Sequence, residues 1–386
     1  MVSKRSKNAR KSKIIPFGNG KEVKIVVTGG HVTPALAALE VIYKRGFQIC
    51  WIGEKWAVQG QRAKTLEYHI IPSLGVPFLT IVSAKFNRRA RFASLLLSWK
   101  LIVGFVQSLG ILVKIRPHAV LSFGSYVSVP VALAAKLLGI PVVLHEQTAA
   151  AGLANKIVAK VSDRVAISFE ASKKHFPFGK TFLTGNPIRK SVLKIKHRSR
   201  IPLQKPVLYV TGGSRGAQVI NNAVVGILPE LLGLFKIYHQ TGEVDYEKMV
   251  GIKSSLNLQL QRDYEVSGVY APDKVDEIFS KADLIISRAG ANTVLEIAAV
   301  GVPAILIPIP WVGANEQEKN AKVLSEVTGA VVIQQESLTG ELLLKTVRDI
   351  LSDLPSYKER ALRGRVLVKE DAAERLVDLV VEVIGR

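Results

Sequence analysis

Short β-branched runs recur along the chain, and each is followed by a stretch whose apolar positions return at helical spacing. Two of them end alike. Lys24-Ile-Val-Val-Thr-Gly-Gly-His31 and Val207-Leu-Tyr-Val-Thr-Gly-Gly-Ser214 each read as a buried strand running into a glycine turn. Behind them, Pro34 to Arg45 and Ala217 to Leu232 read as helices, with Pro34 suited to an early helical position. Further strands are expected at 48–52, 119–122, 142–144 and 164–167 in the first half, and at 284–287 and 304–307 in the second. Buried strands alternating with helices predict doubly wound parallel sheets. Because the strand, glycine loop and helix occur twice, about one α/β domain apart, two Rossmann-like domains facing a cleft are expected.

Length agrees with this division, since 386 residues exceed the about 250 at which single cores stop growing. The Lys-, Arg- and Pro-rich segment up to Pro206 has no periodicity. It places a linker at 191–206, between an N-terminal unit (22–190) and a C-terminal unit (207–365), while 366–386 reads as a helix able to pack back on the first. Residues 1–21 read as a basic disordered arm with no apolar run of a secretory signal behind it.

Charge narrows the partners. The 53 Lys and Arg against 31 Asp and Glu leave +22, an excess that calls for an anionic partner. Between Glu67 and Glu146 there is no acid, while Lys85, Arg88, Arg89, Arg91, Lys100, Lys114, Arg116 and Lys136 are basic. The apolar run from Phe92 to Val106, which includes Trp99, is broken by Lys100 and too short for the about 20 residues that span a bilayer. It reads either as a contact with an anionic membrane surface or as a core helix beside a solvated basic face. Basic and aromatic residues are not interleaved, so no nucleic acid is expected. Neither glycine loop is G-x-G-x-x-G, which sets aside a dinucleotide oxidoreductase. The one cysteine, Cys50, excludes an internal disulfide and fits a reducing compartment. With no Asp-x-Asp and no His/Cys cluster at metal spacing, neither metal nor cofactor is expected.

Chemistry belongs to the loops at the carboxyl ends of the strands. After Thr28, Gly29 and Gly30 either bring backbone NH groups to a phosphate or make a tight strand-to-helix turn. In Gly212-Gly-Ser-Arg-Gly216, Gly213, Ser214, Arg215 and Gly216 make the better diphosphate site, because a hydroxyl and a guanidinium join the glycines. His31, at a helix start whose field disfavours its cation, is the first candidate base, with capping of the helix or ordering of the loop as its other reading. Glu146, in His145-Glu-Gln-Thr148, is the second candidate base or part of a structural network. Arg189, behind the rigid turn Gly185-Asn-Pro-Ile, is aimed at a phosphate or at an acid across the cleft. Glu296 either clamps two vicinal hydroxyls of a ribose or closes a capping box from Thr293. The polar loop 311–320 offers Glu316, Gln317 and Asn320 to sugar hydroxyls.

The motifs stand in a telling order: Thr28-Gly-Gly-His-Val-Thr-Pro-Ala35, His145-Glu-Gln with Ala151-Gly152, Gly185-Asn-Pro-Ile-Arg189, Thr211-Gly-Gly-Ser-Arg-Gly-Ala217, His239-Gln-Thr-Gly242, the segment Ser287 to Glu296, and Glu316-Gln-x-x-Asn-Ala321. As a set, across residues 22–380, they resemble the MurG family, the UDP-N-acetylglucosamine transferases that make lipid II in peptidoglycan synthesis. The resemblance implies a GT-B fold whose C-terminal domain holds the donor and whose N-terminal domain holds lipid I. The implied enzyme is an inverting one, peripheral at the cytoplasmic side of the cell membrane; a GT-B transferase with another lipid-linked acceptor is the alternative. It places Arg189 and Ser214 near the diphosphate, Ala291, Asn292, Thr293, Val294 and Leu295 with Glu296 at the nucleoside, and Gln317 at the sugar, and it favours the ribose role of Glu296. This chain departs from the family in three places. Extra glycines are missing before Thr28, Thr148 stands where the family has asparagine at a sugar contact, and the loop that reads uracil holds Pro272, which has no NH.

Overall fold

The computed structural model describes residues 23–56, 65–83, 98–148, 151–195, 205–213, 216–311 and 315–385. The first sheet contains β1 (Lys24–Thr28), β2 (Gln48–Gly53), β3 (Phe78–Thr80), β4 (Ala119–Ser122), β5 (Val142–Glu146), β6 (Arg164–Ile167) and β7 (Thr181–Leu183). Its order is β3-β2-β1-β4-β5-β6-β7. The second contains β8 (Val207–Thr211), β9 (Lys236–Gln240), β10 (Tyr264–Ser267), β11 (Leu284–Ser287), β12 (Ala304–Leu306) and β13 (Val331–Val332), in the order β10-β9-β8-β11-β12-β13. Every pairing is parallel. The order reverses beside β1 and again beside β8, so each Thr-Gly-Gly loop leaves its sheet at a switch point, where such sheets bind ligands.

Both faces of each sheet are covered, which is why the strands read as continuous apolar runs. In β1, Ile25 and Val27 enter one core with Leu39 and Ile42 of the helix Val32–Lys44, whereas Val26 enters the opposite core with Val131, Ala135 and Val158. In β8, Leu208 and Val210 pack on one side and Tyr209 on the other, as the two-residue period of a strand requires.

Two segments differ from the sequence reading, and a third, the C-terminal helix, packs as that reading allows. The stretch Ala217 to Leu232 is two helices, Gln218–Val225 and Leu228–Leu234, broken at Gly226 with a proline early in the second. The expected linker opens with the helix Lys190–Leu193, and Ile188 and Val192 lie in the second core, where burial removes two large aliphatic side chains from water. The helix Ala372–Ile384 returns to the first sheet, where Ala373, Leu376, Val377, Val380 and Val383 complete the core over β4, β5 and β6. Arg45–Asp378 at 2.6 Å and Arg164–Glu382 at 2.8 Å border that contact.

The helix Ser98–Ile115 has two faces. Gly104, Ser108 and Leu112, spaced by four, are buried where it packs on the helix Ser128–Leu137. Trp99, Ile102, Val106 and Val113 form an exposed stripe on the other side. The chain before it, including Lys85, Arg88, Arg89, Arg91 and Phe92, lies outside the described residues.

Leu376 is the center of the returning helix's buried face. Leu376→Ala is expected to lower stability by about 2–5 kcal/mol, the range for a buried leucine, read as a shifted urea unfolding midpoint. A shift below about 0.5 kcal/mol would show that the helix is dispensable to the first core.

Candidate functional site

The carboxyl-end loops of both sheets border one cleft with a cavity of about 430 Å3, within the range of small-molecule sites. The glycines set its shape more than its hydrogen bonding. Gly29 has φ 138° and a Cβ on it would fall 2.7 Å from the Phe123 carbonyl carbon, so the first loop is pressed against the loop after β4. Gly30 donates to the Gly124 carbonyl at 3.3 Å. In the second loop Gly213 donates to Thr211 Oγ1 at 3.0 Å and Gly216 to the Gly213 carbonyl at 3.0 Å. Gly216 has φ 73°, and a Cβ there would meet the Thr241 carbonyl at 2.1 Å. The NH groups of Gly30, Gly213 and Gly216, expected at a phosphate, are therefore committed within the protein. Ser214 and Arg215 lie outside the described residues. Thr28 ends β1 buried, its Oγ1 without a hydrogen-bond partner.

His31 precedes the helix Val32–Lys44 and lines the cleft, and its side chain makes no capping hydrogen bond. The capping reading of His31 is therefore set aside. Burial pushes its pKa down to about 4, so the imidazole is neutral at ordinary pH. Behind it His145 is neutral for the same reason, also near 4, and its tautomer follows from its neighbours. Nε2 donates to the Gly185 carbonyl at 3.1 Å and Nδ1 accepts from Gln147 Nε2 at 3.1 Å. Glu146 Oε1 accepts from the Thr148 NH at 3.0 Å and its hydroxyl at 2.9 Å, and Oε2 accepts from Asn155 Nδ2 at 2.8 Å. Burial raises its pKa while these bonds oppose the rise. Of the two readings of Glu146, the geometry matches the network: both oxygens brace local loops.

Across the cleft, the helix Ala291–Val300 has Gly290 at its N-cap with no side-chain cap. Thr293 is therefore inside the helix and Glu296 in its second turn, not the first, so the capping box does not form. Ala291, Asn292 and Thr293 line the cleft, and their NH groups belong to the unpaired first turn. Val294 and Leu295 face the second core, so their side chains do not reach the cleft. Glu296 does reach it, and burial lifts its carboxyl to about 7, with Asp276 adding to the rise and Arg189 opposing it.

Arg189 realises the second of its two alternatives, an acid across the cleft. Its Nη1 lies 2.8 Å from Asp276 Oδ1 and donates to the Pro272 carbonyl at 2.9 Å, and its Nη2 is 3.7 Å from Glu296 Oε1. Pro272 opens the helix Pro272–Lys281, where its missing NH leaves nothing unpaired. Asn186 Nδ2 donates to Asn292 Oδ1 at 3.0 Å, a second bond between the halves.

Gln317 Oε1 accepts from the Ile309 NH at 3.1 Å, which leaves its amide NH2 for a ligand, and Asn320 is used on the Ala289 carbonyl at 3.1 Å. Beside them Glu316 lines the cleft with a carboxyl raised to about 7, by burial first and Glu146 second. Gln240, Asp276 and Asn186 also belong to the site, and sequence reasoning did not single them out. Gln240 joins three loops, donating to Thr211 Oγ1 at 3.2 Å and the Gly213 carbonyl at 3.1 Å and accepting from the Tyr270 NH at 3.1 Å. Its place at a strand's carboxyl end beside Thr-Gly was the available signal; an aspartate on an amphipathic helix offers none.

Two family models match the chain: the glycosyltransferase family 28 N-terminal domain over residues 25–167 and the family 28 C-terminal domain over residues 207–376. Among curated relatives, a protein of Bacillus licheniformis is 35% identical, with 92% of this chain and 96% of that protein covered. One of Bacillus subtilis is also 35% identical, with 92% and 97% covered. Both are named UDP-N-acetylglucosamine–N-acetylmuramyl-(pentapeptide) pyrophosphoryl-undecaprenol N-acetylglucosamine transferase. The crystal structure of Acinetobacter baumannii MurG superposes with a TM-score of 0.67 at 25% identity, covering 93% of this chain and 99% of that one. A UDP-GlcNAc 2-epimerase of Neisseria meningitidis, 12% identical with a TM-score of 0.61, shares the fold.

Removing the Glu146 carboxylate strands a buried NH and a buried amide. Glu146→Ala should cost about 1–3 kcal/mol, measured by thermal melting, with Glu146→Gln costing less because one acceptor remains. A melt unmoved by the alanine would remove Glu146 from the loop network.

Proposed function

The chain belongs to glycosyltransferase family 28, and on that footing we propose that it transfers N-acetylglucosamine from UDP-N-acetylglucosamine to the C4 hydroxyl of the muramyl sugar of lipid I, giving lipid II. One observation carries this reading: a neutral histidine and an arginine from the first half share a single cleft with a carboxylate and a free helix N-terminus from the second. The acceptor hydroxyl attacks the anomeric carbon, the bond to UDP breaks, and configuration inverts. His31 takes the hydroxyl proton. Burial holds its pKa low, and the anionic diphosphate of the donor raises its readiness to become a cation. Leaving charge is met by Arg189 and the first-turn NH groups of Ala291 to Thr293, fixed dipoles that need no reorganisation. Glu296 accepts the two ribose hydroxyls, and Gln317 donates to the sugar. Glu146 holds the loop that carries Thr148 instead of acting as a base.

Transfer of label from UDP-N-acetylglucosamine to lipid I tests the assignment directly. His31→Ala should lower kcat by about 100-fold or more and leave UDP affinity within a factor of about two. Unchanged kcat would exclude His31 as the base, and no transfer by the wild type would exclude the activity.

We further propose that the enzyme works on the cytoplasmic face of the cell membrane, docked through the helix Ser98–Ile115. No helix among the described residues is long and apolar enough to cross a bilayer. The exposed Trp99, Ile102, Val106 and Val113 stripe has Lys100 beside it and Lys114 and Arg116 at its end, which favours insertion at an anionic surface over an ordinary core role. Each nearby basic residue adds about 1 kcal/mol at such a surface. Co-sedimentation with anionic vesicles should fall for Trp99→Glu/Ile102→Glu and for Arg88/Arg89/Arg91→Glu, and for wild type in high salt. Equal binding by the variants, or equal binding to neutral vesicles, would defeat the proposal.

A further inference from the structure

Arg189 faces two carboxylates, and only one of them has a donor role. Asp276 Oδ1 is the closer, at 2.8 Å, and Glu296 Oε1 stands at 3.7 Å. The three side chains come from three elements: the turn before the helix Lys190–Leu193, the helix Pro272–Lys281 and the helix Ala291–Val300. Asp276 also takes a side-chain hydrogen bond from Ser191, so its carboxylate is anchored to the segment that joins the two halves.

A ribose clamp at Glu296 competes with this arrangement. Oxygens that accept from two ribose hydroxyls are withdrawn, in part, from the guanidinium. A buried cation that loses a partner becomes costly unless a second one holds it. We propose that Asp276 is a positioning residue for the donor, keeping Arg189 aligned on the diphosphate while Glu296 is engaged by the ribose. This rests on the UDP-sugar reading of the cleft.

The charges around Glu296 give the proposal a signature. Arg189 and Asp276 face it from the neighbouring elements, and Tyr209 faces it from β8 with a phenol that burial keeps protonated. Asp273 lies behind Asp276 and Glu316 lines the same cleft. Glu296 titrates near 7, and a protonated carboxyl cannot accept from both hydroxyls, so UDP binding weakens as pH falls through that value. Asp276 raises the Glu296 pKa and Arg189 lowers it. Removing the Asp276 charge therefore moves the acid limb of UDP binding to lower pH, while the loosened Arg189 weakens binding on the alkaline plateau. Glu316 contributes equally to wild type and variant, so the difference between them isolates Glu296.

The test is UDP and uridine binding to the full chain by calorimetry, from about pH 5.5 to 8.5, for wild type, Asp276→Asn and Asp276→Glu. Asp276→Asn should weaken UDP by about tenfold or more on the plateau, leave uridine within about threefold, and shift the acid limb downward, with Asp276→Glu restoring most of the affinity. Unchanged UDP affinity in Asp276→Asn overturns the proposal. So does an equal loss of UDP and uridine with the acid limb in place, which marks Asp276 as a brace of the fold alone. A wild type that binds no UDP sinks the donor reading, and this proposal with it.

Discussion

A guanidinium excluded from water has to find its neutralising partners within a few ångströms, and Arg189 finds all of them on the opposite half of the molecule. Pro272, Asp276 and Glu296 follow β8 in the chain, whereas Arg189 ends the turn that closes the first unit. Pulling this turn away from the second half would expose the acids and strand the cation, so the end of the first unit is pinned to the second. Ile188 and Val192 reinforce it by lying in the second core on either side of the arginine. The same side chain thus fixes the geometry of the cleft and stands where a diphosphate would have to be met.

Around this clamp the two halves divide the labour by electrostatics. The first half presents imidazoles made neutral by burial, with His145 locked by Gly185 and Gln147 behind the freer His31. The second presents carboxyls raised toward neutrality by burial, Glu296 in the second turn of its helix and Glu316 at the start of another. An anionic ligand entering such a site raises the proton affinity of the imidazoles and carboxyls around it.

The strands beside the switch points were legible because a strand buried on both faces leaves a β-branched run, and Thr-Gly-Gly marks where it stops. β3, β7, β9, β10 and β13 were harder to read. β7 and β3 lie at the edges of their sheet, and β9, Lys236-Ile-Tyr-His-Gln, carries a buried histidine that belongs to a network with Tyr264 and Asn221. Site residues divided on similar lines. His31, Arg189, Glu296 and Gln317 were visible from their loops. The Glu296 capping box looked plausible in one dimension and failed because the helix begins at Ala291, two residues before Thr293. Val294 and Leu295 share a helix with Glu296 but turn to the core, since neighbouring helical positions lie about 100° apart. The loop glycines looked like ligand donors, yet their NH groups serve the turns, a distinction that only the partner loops reveal.

The helix Ala372–Ile384 gives the chain an unusual schedule. The second unit holds everything it needs once the ribosome has passed its last core residue, while the first unit, made earlier, still lacks the five side chains from Ala373 to Val383 that close one of its cores. Synthesis order and completion order are reversed. A nascent chain keeps an apolar flank of β4, β5 and β6 uncovered until the helix Ala372–Ile384 has been made.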